Sequence, residues 1–132
     1  MAKKIGVIID FLTDEYAKKI NEAAASHGYE VEYFDSSRAA VGNVDDCEII
    51  YGHPSQKVIA SAKNLKWFAC CWAGVDRFCR DELYQNPDCL LTNSNGYGVT
   101  IAEHVVMVTL MLLRRMPEYE QIVLVLWVDI FD

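Results

Sequence analysis

The sequence predicts an α/β fold built on a doubly wound, parallel, five-stranded sheet. Short apolar runs rich in β-branched residues alternate with helical stretches through the first hundred residues. The first of these runs begins almost at residue 1 and suits a central parallel strand. Regular alternation of strands and helices is typical of parallel sheets with helices on both faces. At 132 residues the chain has room for one such domain, with or without a tail.

The individual elements follow from local patterns. A helix is predicted from Thr13, and Gly28 stands just past its end, as a residue that terminates a helix should. Shorter helices are predicted over residues 55–62 and 76–84, and a polar loop, with room for one short turn of helix, over residues 35–46. The five strands are predicted over residues 5–9, 31–34, 47–51, 66–72 and 89–93.

A long apolar C-terminal helix is predicted over residues 100–117. Thr100 and Glu103 fit a capping box with Thr100 as the N-cap. From Val105 to Leu113 the helix is apolar around nearly its whole circumference, so we expect it to need burial on all sides. We therefore divide the chain into a sheet domain (1–99), this helix (100–117) and an apolar tail (118–132).

The net charge of the chain and the sequence of its N-terminus indicate which partners and which cellular location to expect. The net charge of −7 repels phosphate groups, so we expect no nucleic-acid partner and no membrane association. The apolar helix is shorter than the roughly 20 residues that span a bilayer. The N-terminus leads directly into a strand without the apolar core of a signal peptide, so we expect a cytoplasmic protein.

Cysteines and histidines offer no metal site or nucleophile. The five cysteines form no C-x-x-C pair, so we expect free thiols rather than disulfides. The three histidines lack metal-ligand spacing. His27 should cap a helix end, and His104 is expected to be structural. His53 follows the third strand, at the edge where such sheets bind ligands, but a loop role is favoured over that of a base.

The stretch Ala73-Gly74-Val75-Asp76 is the strongest candidate for a binding site. It follows a buried strand, and its simplest interpretation is a strand-to-helix turn with Asp76 as the helix N-cap. The functional interpretation adds to this one. Backbone N–H groups of Ala73, Gly74 and Val75 would face the open edge of the sheet and could bind a small carboxylate.

A second glycine turn, Gly96-Tyr97-Gly98, lies between the last strand and the last helix. A dinucleotide-binding loop would need a third glycine where Ile101 stands, so an ordinary turn is favoured. The turn after the first strand carries Asp10 and no glycine, which is unsuited to a phosphate group.

Two sequence blocks together resemble the D-isomer-specific 2-hydroxyacid dehydrogenases, most closely their phosphoglycerate-dehydrogenase-like and hydroxypyruvate-reductase-like members. The first block runs from Leu65 to Phe78 and contains W-A-G-V-D-R-F. The second runs from Leu91 to His104 and reads L-T-N-S-N-G-Y-G-V-T-I-A-E-H. The resemblance extends from about residue 4 to Glu120.

The resemblance implies a flavodoxin-like substrate-binding domain whose last helix crosses to a dinucleotide-binding domain. It implies substrate-binding positions at Ala73, Gly74, Val75 and Tyr97, where a small 2-oxo or 2-hydroxy carboxylate would be held. The catalytic arginine, glutamate and histidine of the family lie in its NAD- or NADP-binding domain. This chain therefore has no catalytic and no cofactor-binding position to match them.

After Gln121 the sequence does not continue into the strand and glycine-rich loop of the family. We therefore expect a truncated substrate-binding domain that is inactive alone and carries no cofactor. The alternative is a stand-alone carboxylate-binding or regulatory module, and a further possibility is a non-functional product that self-associates. We expect a homo-oligomer formed through the helix from Val105 to Leu113, because its apolar surface needs cover.

Overall fold

The computed structural model describes residues 3–121, which divide into two compact units between Ser94 and Asn95. Most of the predicted apolar tail lies outside the described residues. The strands of the first unit are β1 (Lys3–Ile8), β2 (Tyr29–Tyr33), β3 (Cys47–Gly52), β4 (Trp67–Cys70) and β5 (Leu90–Thr92). The helices are α1 (Asp14–Ser26), α2 (Ser37–Ala40) and α3 (Gln56–Ser61) in the first unit, and α4 (Gly98–Leu113) in the second.

The five strands form one sheet in the order β2-β1-β3-β4-β5, and every neighbouring pair is parallel. The prediction of a five-stranded parallel α/β sheet is therefore confirmed. The register places Ile5 beside Ile49, which in turn lies beside Trp67. Successive residues along each strand point to opposite faces of the sheet.

Helix α1 begins and ends where the sequence places it. The Thr13 hydroxyl accepts a hydrogen bond from the Tyr16 N–H at 3.5 Å, as an N-cap side chain should. At the other end, His27 Nδ1 lies 2.9 Å from the Ala23 carbonyl oxygen, so the predicted capping role of His27 is confirmed. Gly28 follows with a φ of +75°, a conformation that glycine adopts without steric cost.

One face of the sheet is densely packed. Ile50 and Phe68 are fully buried there together with Val58 and Ile59 of α3. Phe78, from the segment after β4, closes this core with its ring 4.8 Å from that of Phe68 in an edge-to-face arrangement. This packing fixes the position of the chain that follows β4.

The opposite face is only partly covered by α1. Ala24 is buried, whereas Tyr16 of the same helix is 59% exposed. An apolar groove of about 560 Å³ remains beside the helix. Its floor is formed by side chains of four strands, namely Ile5, Tyr29, Ile49, Tyr51, Trp67 and Ala69. Parallel sheets are normally covered on both faces. Because α1 covers only part of this face, apolar surface remains exposed on it.

The five cysteines are free thiols. Cys47 is fully buried at the start of β3. Burial raises the pKa of its thiol to about 11, so the thiol is protonated at neutral pH. Cys47 therefore behaves as a small apolar side chain of the core.

The predicted helix over residues 76–84 is wrong. The segment instead forms two single 3₁₀ turns, Asp76–Phe78 and Asp81–Leu83. Phe78 is buried and Leu83 packs against the same core, although the two are five residues apart. On an α-helix that spacing would separate them by about 140°. Two short turns allow both side chains to face the core.

Helix α4 of the second unit begins two residues before the predicted start, so Thr100 is not its N-cap. The Tyr97 carbonyl accepts the first helical hydrogen bond, from the Ile101 N–H at 3.0 Å, so Tyr97 is the N-cap and no side chain caps the helix. The helix ends at Leu113, Arg115 has a φ of +54°, and residues 116–121 are again helical. Within residues 3–121 no helix is long and apolar enough to cross a bilayer.

Gly52, the last residue of β3, cannot be replaced without disturbing the sheet. Its φ is +129°, and a Cβ added there would lie 2.0 Å from the Ile8 carbonyl oxygen. That same oxygen accepts a hydrogen bond from the His53 N–H at 3.0 Å. The close approach of β3 to β1 thus depends on the missing side chain.

We expect Gly52→Ala to lower the free energy of unfolding by at least about 2 kcal/mol, because the Cβ would collide with backbone and alanine disfavours this φ. Urea denaturation followed by circular dichroism measures the change. Gly96→Ala is the matched control, since its Cβ would meet no atom within 4 Å. Equal stability of the two variants would contradict this account.

Candidate functional site

The carboxyl ends of the strands form the edge at which parallel sheets of this kind bind ligands. In the sheet β2-β1-β3-β4-β5 the order in which strands are added reverses between β1 and β3, and ligands occupy the crevice at such a point. A cavity of about 260 Å³ opens at this edge. Its polar lining comes from the ends of β1, β2 and β3, namely Asp10, Asp35, Ser36, Ser37 and His53.

The turn after β4 is held from the end of β5. The Asn93 side-chain amide donates a hydrogen bond to the Ala73 carbonyl oxygen at 2.7 Å. The next residue, Ser94, donates its backbone N–H to the Trp72 carbonyl oxygen at 3.3 Å. Two successive carbonyl groups of the turn therefore face β5. This arrangement fixes the path of the backbone into Gly74.

The N–H groups of Gly74 and Val75 are available to a ligand. Within residues 3–121 no protein acceptor is hydrogen-bonded to either of them. A Cβ added to Gly74 would meet no atom within 4 Å, so the space beside this residue is open. Consecutive backbone N–H groups that lack protein acceptors are suited to binding an anion.

The carboxylate of Asp76 does not cap the segment that follows, contrary to the simple strand-to-helix interpretation. Val75 is the N-cap of the 3₁₀ turn, Asp76 is its first residue, and no side chain caps it. The turn is closed instead by the Phe78 N–H, which donates to the Val75 carbonyl oxygen at 2.7 Å. Burial of Phe78, rather than a carboxylate cap, holds the turn in place.

An aromatic and basic cluster lies beside the same edge. The His53 ring lies edge-to-face against Trp72, with 5.5 Å between centroids, and Trp72 makes a similar contact with Phe11 at 6.0 Å. Arg77 Nη2 lies 2.5 Å from His53 Nε2. Because a guanidinium can only donate, Nε2 accepts, and the ring proton must lie on Nδ1.

This environment keeps the imidazole neutral. Desolvation at the sheet edge, followed by the charge of Arg77, lowers the pKa of His53 below its ordinary value, and Asp10 opposes the shift. His53 is therefore uncharged at neutral pH. His53 lies in the loop after β3, with Nε2 hydrogen-bonded to Arg77, and its role stays a prediction.

Tyr97 lies in the second unit, whereas Ala73, Gly74 and Val75 lie in the first. Tyr97 stands at the start of α4, directly after a turn at Gly96. Its part in a common binding site stays a prediction. The Gly96-Tyr97-Gly98 segment takes the form of a turn that leads into the helix, as the sequence favours.

The other polar candidates of the sequence have structural partners or belong to the second unit. Asp45 and Asp46 form ion pairs with Lys63 and Lys4, at 2.6 and 2.9 Å. His104 is an exposed residue of α4. In the part of the chain that the structure describes, no three His, Cys, Asp or Glu residues are grouped as a metal site would require.

Sequence reasoning missed the roles of Asn93 and Arg77. Both lie in the two blocks that carry the family resemblance, but nothing in either block indicates their partners. Asn93 bonds to a residue 20 positions earlier, and Arg77 to one 24 positions earlier. Such pairings depend on the order of strands in the sheet. The sequence did indicate that His53 follows a predicted strand and so lies at the ligand-binding edge of the sheet, but it did not indicate that Arg77 bonds to it.

Comparisons with known proteins identify the fold. No protein-family model matches the chain, and no curated protein matches its sequence. One solved structure is similar: a D-isomer specific 2-hydroxyacid dehydrogenase family protein from Aeromonas salmonicida subsp. salmonicida A449. It superposes with a TM-score of 0.66 at 23% sequence identity, over 92% of this chain and 39% of that chain. The chain thus shares a fold with a segment of a longer protein.

We expect Asn93→Asp to release the turn, because a carboxylate cannot donate to the Ala73 carbonyl oxygen. The free energy of unfolding should fall by about 1 kcal/mol, and the amide resonances of Gly74 and Val75 should shift. Urea denaturation and ¹H–¹⁵N spectra measure both. Asn95→Asp introduces the same charge at a residue that makes no hydrogen bond within the described range, and should change neither. Identical behaviour of the two variants would contradict a special role for Asn93.

Proposed function

We propose that this chain is the substrate-binding part of a D-2-hydroxyacid dehydrogenase, and that its turn at Ala73, Gly74 and Val75 holds the carboxylate of a small 2-oxo or 2-hydroxy acid. The fold shared with a protein of that family supports the proposal. So do the two sequence blocks, which supply the turn and the residues that hold it. The observation that carries it is the pair of available N–H groups at Gly74 and Val75, at the ligand-binding edge of the sheet.

The chemistry of the turn suits a carboxylate. Backbone N–H groups bind an anion without a titratable side chain, so binding should persist across neutral pH. Hydrogen bonds to an ionised acceptor are also stronger than those to a neutral one. In the proposed reaction these residues orient the acid for hydride exchange at the carbon next to the carboxylate. Tyr97 is a further proposed contact of the substrate.

The described residues do not fit an NAD or NADP molecule. The turn after β1 carries Asp10, whose charge would repel a pyrophosphate, and Ile101 replaces the third glycine of a dinucleotide loop. Residues 116–121, after α4, are helical rather than the strand that such a unit requires. We therefore assign to residues 3–121 the binding of the acid, and no step that involves the cofactor.

The N–H groups of Gly74 and Val75 also favour a second function, that of a carboxylate-binding or regulatory module without enzymatic activity. The two functions differ in whether a dinucleotide domain accompanies this sequence in its gene. A reading frame that continues beyond codon 132 into a glycine-rich dinucleotide loop would favour the enzyme. A cytoplasmic location, expected from the sequence, is compatible with both functions. The free thiols support that location, since free thiols are typical of reducing compartments.

We also propose that the chain self-associates through α4. Large apolar side chains along this helix are exposed, among them Val106, Leu110 and Leu113, with 57, 54 and 74% of their surface accessible. Contiguous apolar surface of this kind marks association sites in proteins. A second copy of the helix offers a partner with the same length and composition.

We expect ¹H–¹⁵N spectra of the full chain to show pyruvate-dependent shifts centred on Gly74 and Val75. Gly74→Ala should fold normally, because its Cβ meets no protein atom, yet weaken pyruvate binding by about tenfold or more, because the methyl group occupies the open space beside the N–H groups. Gly96→Ala should bind like the unaltered chain. Binding that is unaffected by Gly74→Ala would exclude the turn as the site.

The same sample should not oxidise NADH steadily with pyruvate, glyoxylate or hydroxypyruvate. Steady oxidation, proportional to protein concentration, would show that these 132 residues carry the whole reaction and would contradict the assignment of binding alone.

Light scattering at low micromolar concentration should give a dimer or larger species. Leu110→Glu should shift the mass toward a monomer by placing a charge in the apolar contact. Val41→Glu, which alters an exposed apolar residue outside the helix, should leave the mass unchanged. A monodisperse monomer of the unaltered chain would contradict the proposal.

A further inference from the structure

A cationic side chain without a carboxylate partner lies next to the proposed carboxylate turn. Arg77 follows Val75 by two residues, so their Cα atoms are at most about 7 Å apart. Within residues 3–121 no Asp or Glu forms an ion pair with Arg77, although the chain carries a net charge of −7. The guanidinium instead donates to His53 Nε2.

The position of Arg77 is fixed by its surroundings. Its carbonyl oxygen accepts a hydrogen bond from the Gln56 side-chain amide at 2.5 Å, which ties it to α3. Its guanidinium carbon lies 4.8 Å from the ring centroid of Phe78, and that ring is fully buried in the core. A guanidinium held by stacking and hydrogen bonding loses less conformational entropy when it binds an anion.

The pairing with His53 leaves the charge of Arg77 available. A carboxylate partner would neutralise the guanidinium, whereas a neutral imidazole accepts one hydrogen bond and adds no negative charge. Of the five N–H donors of the guanidinium, one points to His53. His53 is itself positioned by its contact with Trp72. The arrangement directs an uncompensated positive charge to the edge of the sheet that carries the turn.

We propose that Arg77 is a specificity-determining residue that selects anionic over neutral ligands at the Gly74–Val75 turn, and that His53 is its positioning residue. This inference rests on the proposed function of the turn. Backbone N–H groups favour a carboxylate over a neutral carbonyl group only through the greater strength of the hydrogen bonds, and they carry no full charge, so they discriminate less than a cation does. The guanidinium adds an interaction that only the ionised ligand receives. The ligand class is thus a small 2-oxo acid in its carboxylate form.

The test compares pyruvate with its neutral amide, pyruvamide, in ¹H–¹⁵N titrations of the full chain at constant ionic strength. Arg77→Gln should weaken pyruvate binding by about tenfold or more and change pyruvamide binding by less than about twofold. Arg80→Gln removes the same charge from an exposed arginine three residues away and should change neither affinity. His53→Phe, which keeps a ring against Trp72 but removes the acceptor, should weaken pyruvate binding less than Arg77→Gln does.

The outcomes separate this inference from the proposed function. Absence of pyruvate-dependent shifts at the turn of the unaltered chain would overturn the proposed function and this inference with it. Pyruvate binding that Arg77→Gln leaves intact would overturn this inference alone. An equal loss of pyruvate and pyruvamide binding in Arg77→Gln would show a structural role for Arg77, and would also overturn it. Arg77→Lys provides a folded variant of unchanged charge if Arg77→Gln alters the spectrum beyond residues near the turn.

Discussion

Backbone hydrogen bonds that link the carboxyl ends of four adjacent strands determine the geometry of the candidate site. The His53 N–H donates to the Ile8 carbonyl oxygen, and the Cys71 N–H donates to that of Gly52. The Ser94 N–H completes the series by donating to the Trp72 carbonyl oxygen. The series requires that β3 approach β1 without a side chain at Gly52. It places His53 and the turn after β4 at one edge of the sheet.

The two faces of the sheet differ in how they are packed, and the site depends on the denser one. Phe68 and Phe78 lie in the densely packed face, so the chain after β4 is anchored in the core, while the N–H groups of Gly74 and Val75 have no acceptor within residues 3–121. The other face, partly covered by α1, keeps an apolar groove. A site anchored by core packing and an exposed apolar groove on the other face therefore occur in the same small domain. The apolar groove beside α1 is a further reason to expect the chain to self-associate.

Most of the fold could be predicted from the sequence, because strand and helix patterns are local. The five strands, the cap at Thr13 and the ending at Gly28 follow from residues close in sequence. The errors arose where tertiary contacts decide local structure. Phe78 and Leu83 both reach the core only if residues 76–84 form two 3₁₀ turns. For the site, the turn itself was predictable, whereas the bond from Asn93 and the pairing of Arg77 with His53 depend on strand order.

The central claim is that the N–H groups of Gly74 and Val75 bind a carboxylate. A crystal structure of the chain grown with oxamate, an unreactive analogue of pyruvate, tests it most directly. The account predicts oxamate at the carboxyl edge of the sheet, with a carboxylate oxygen about 2.7–3.2 Å from both backbone nitrogens. Oxamate bound elsewhere on the chain, with these two N–H groups facing only solvent, would contradict it.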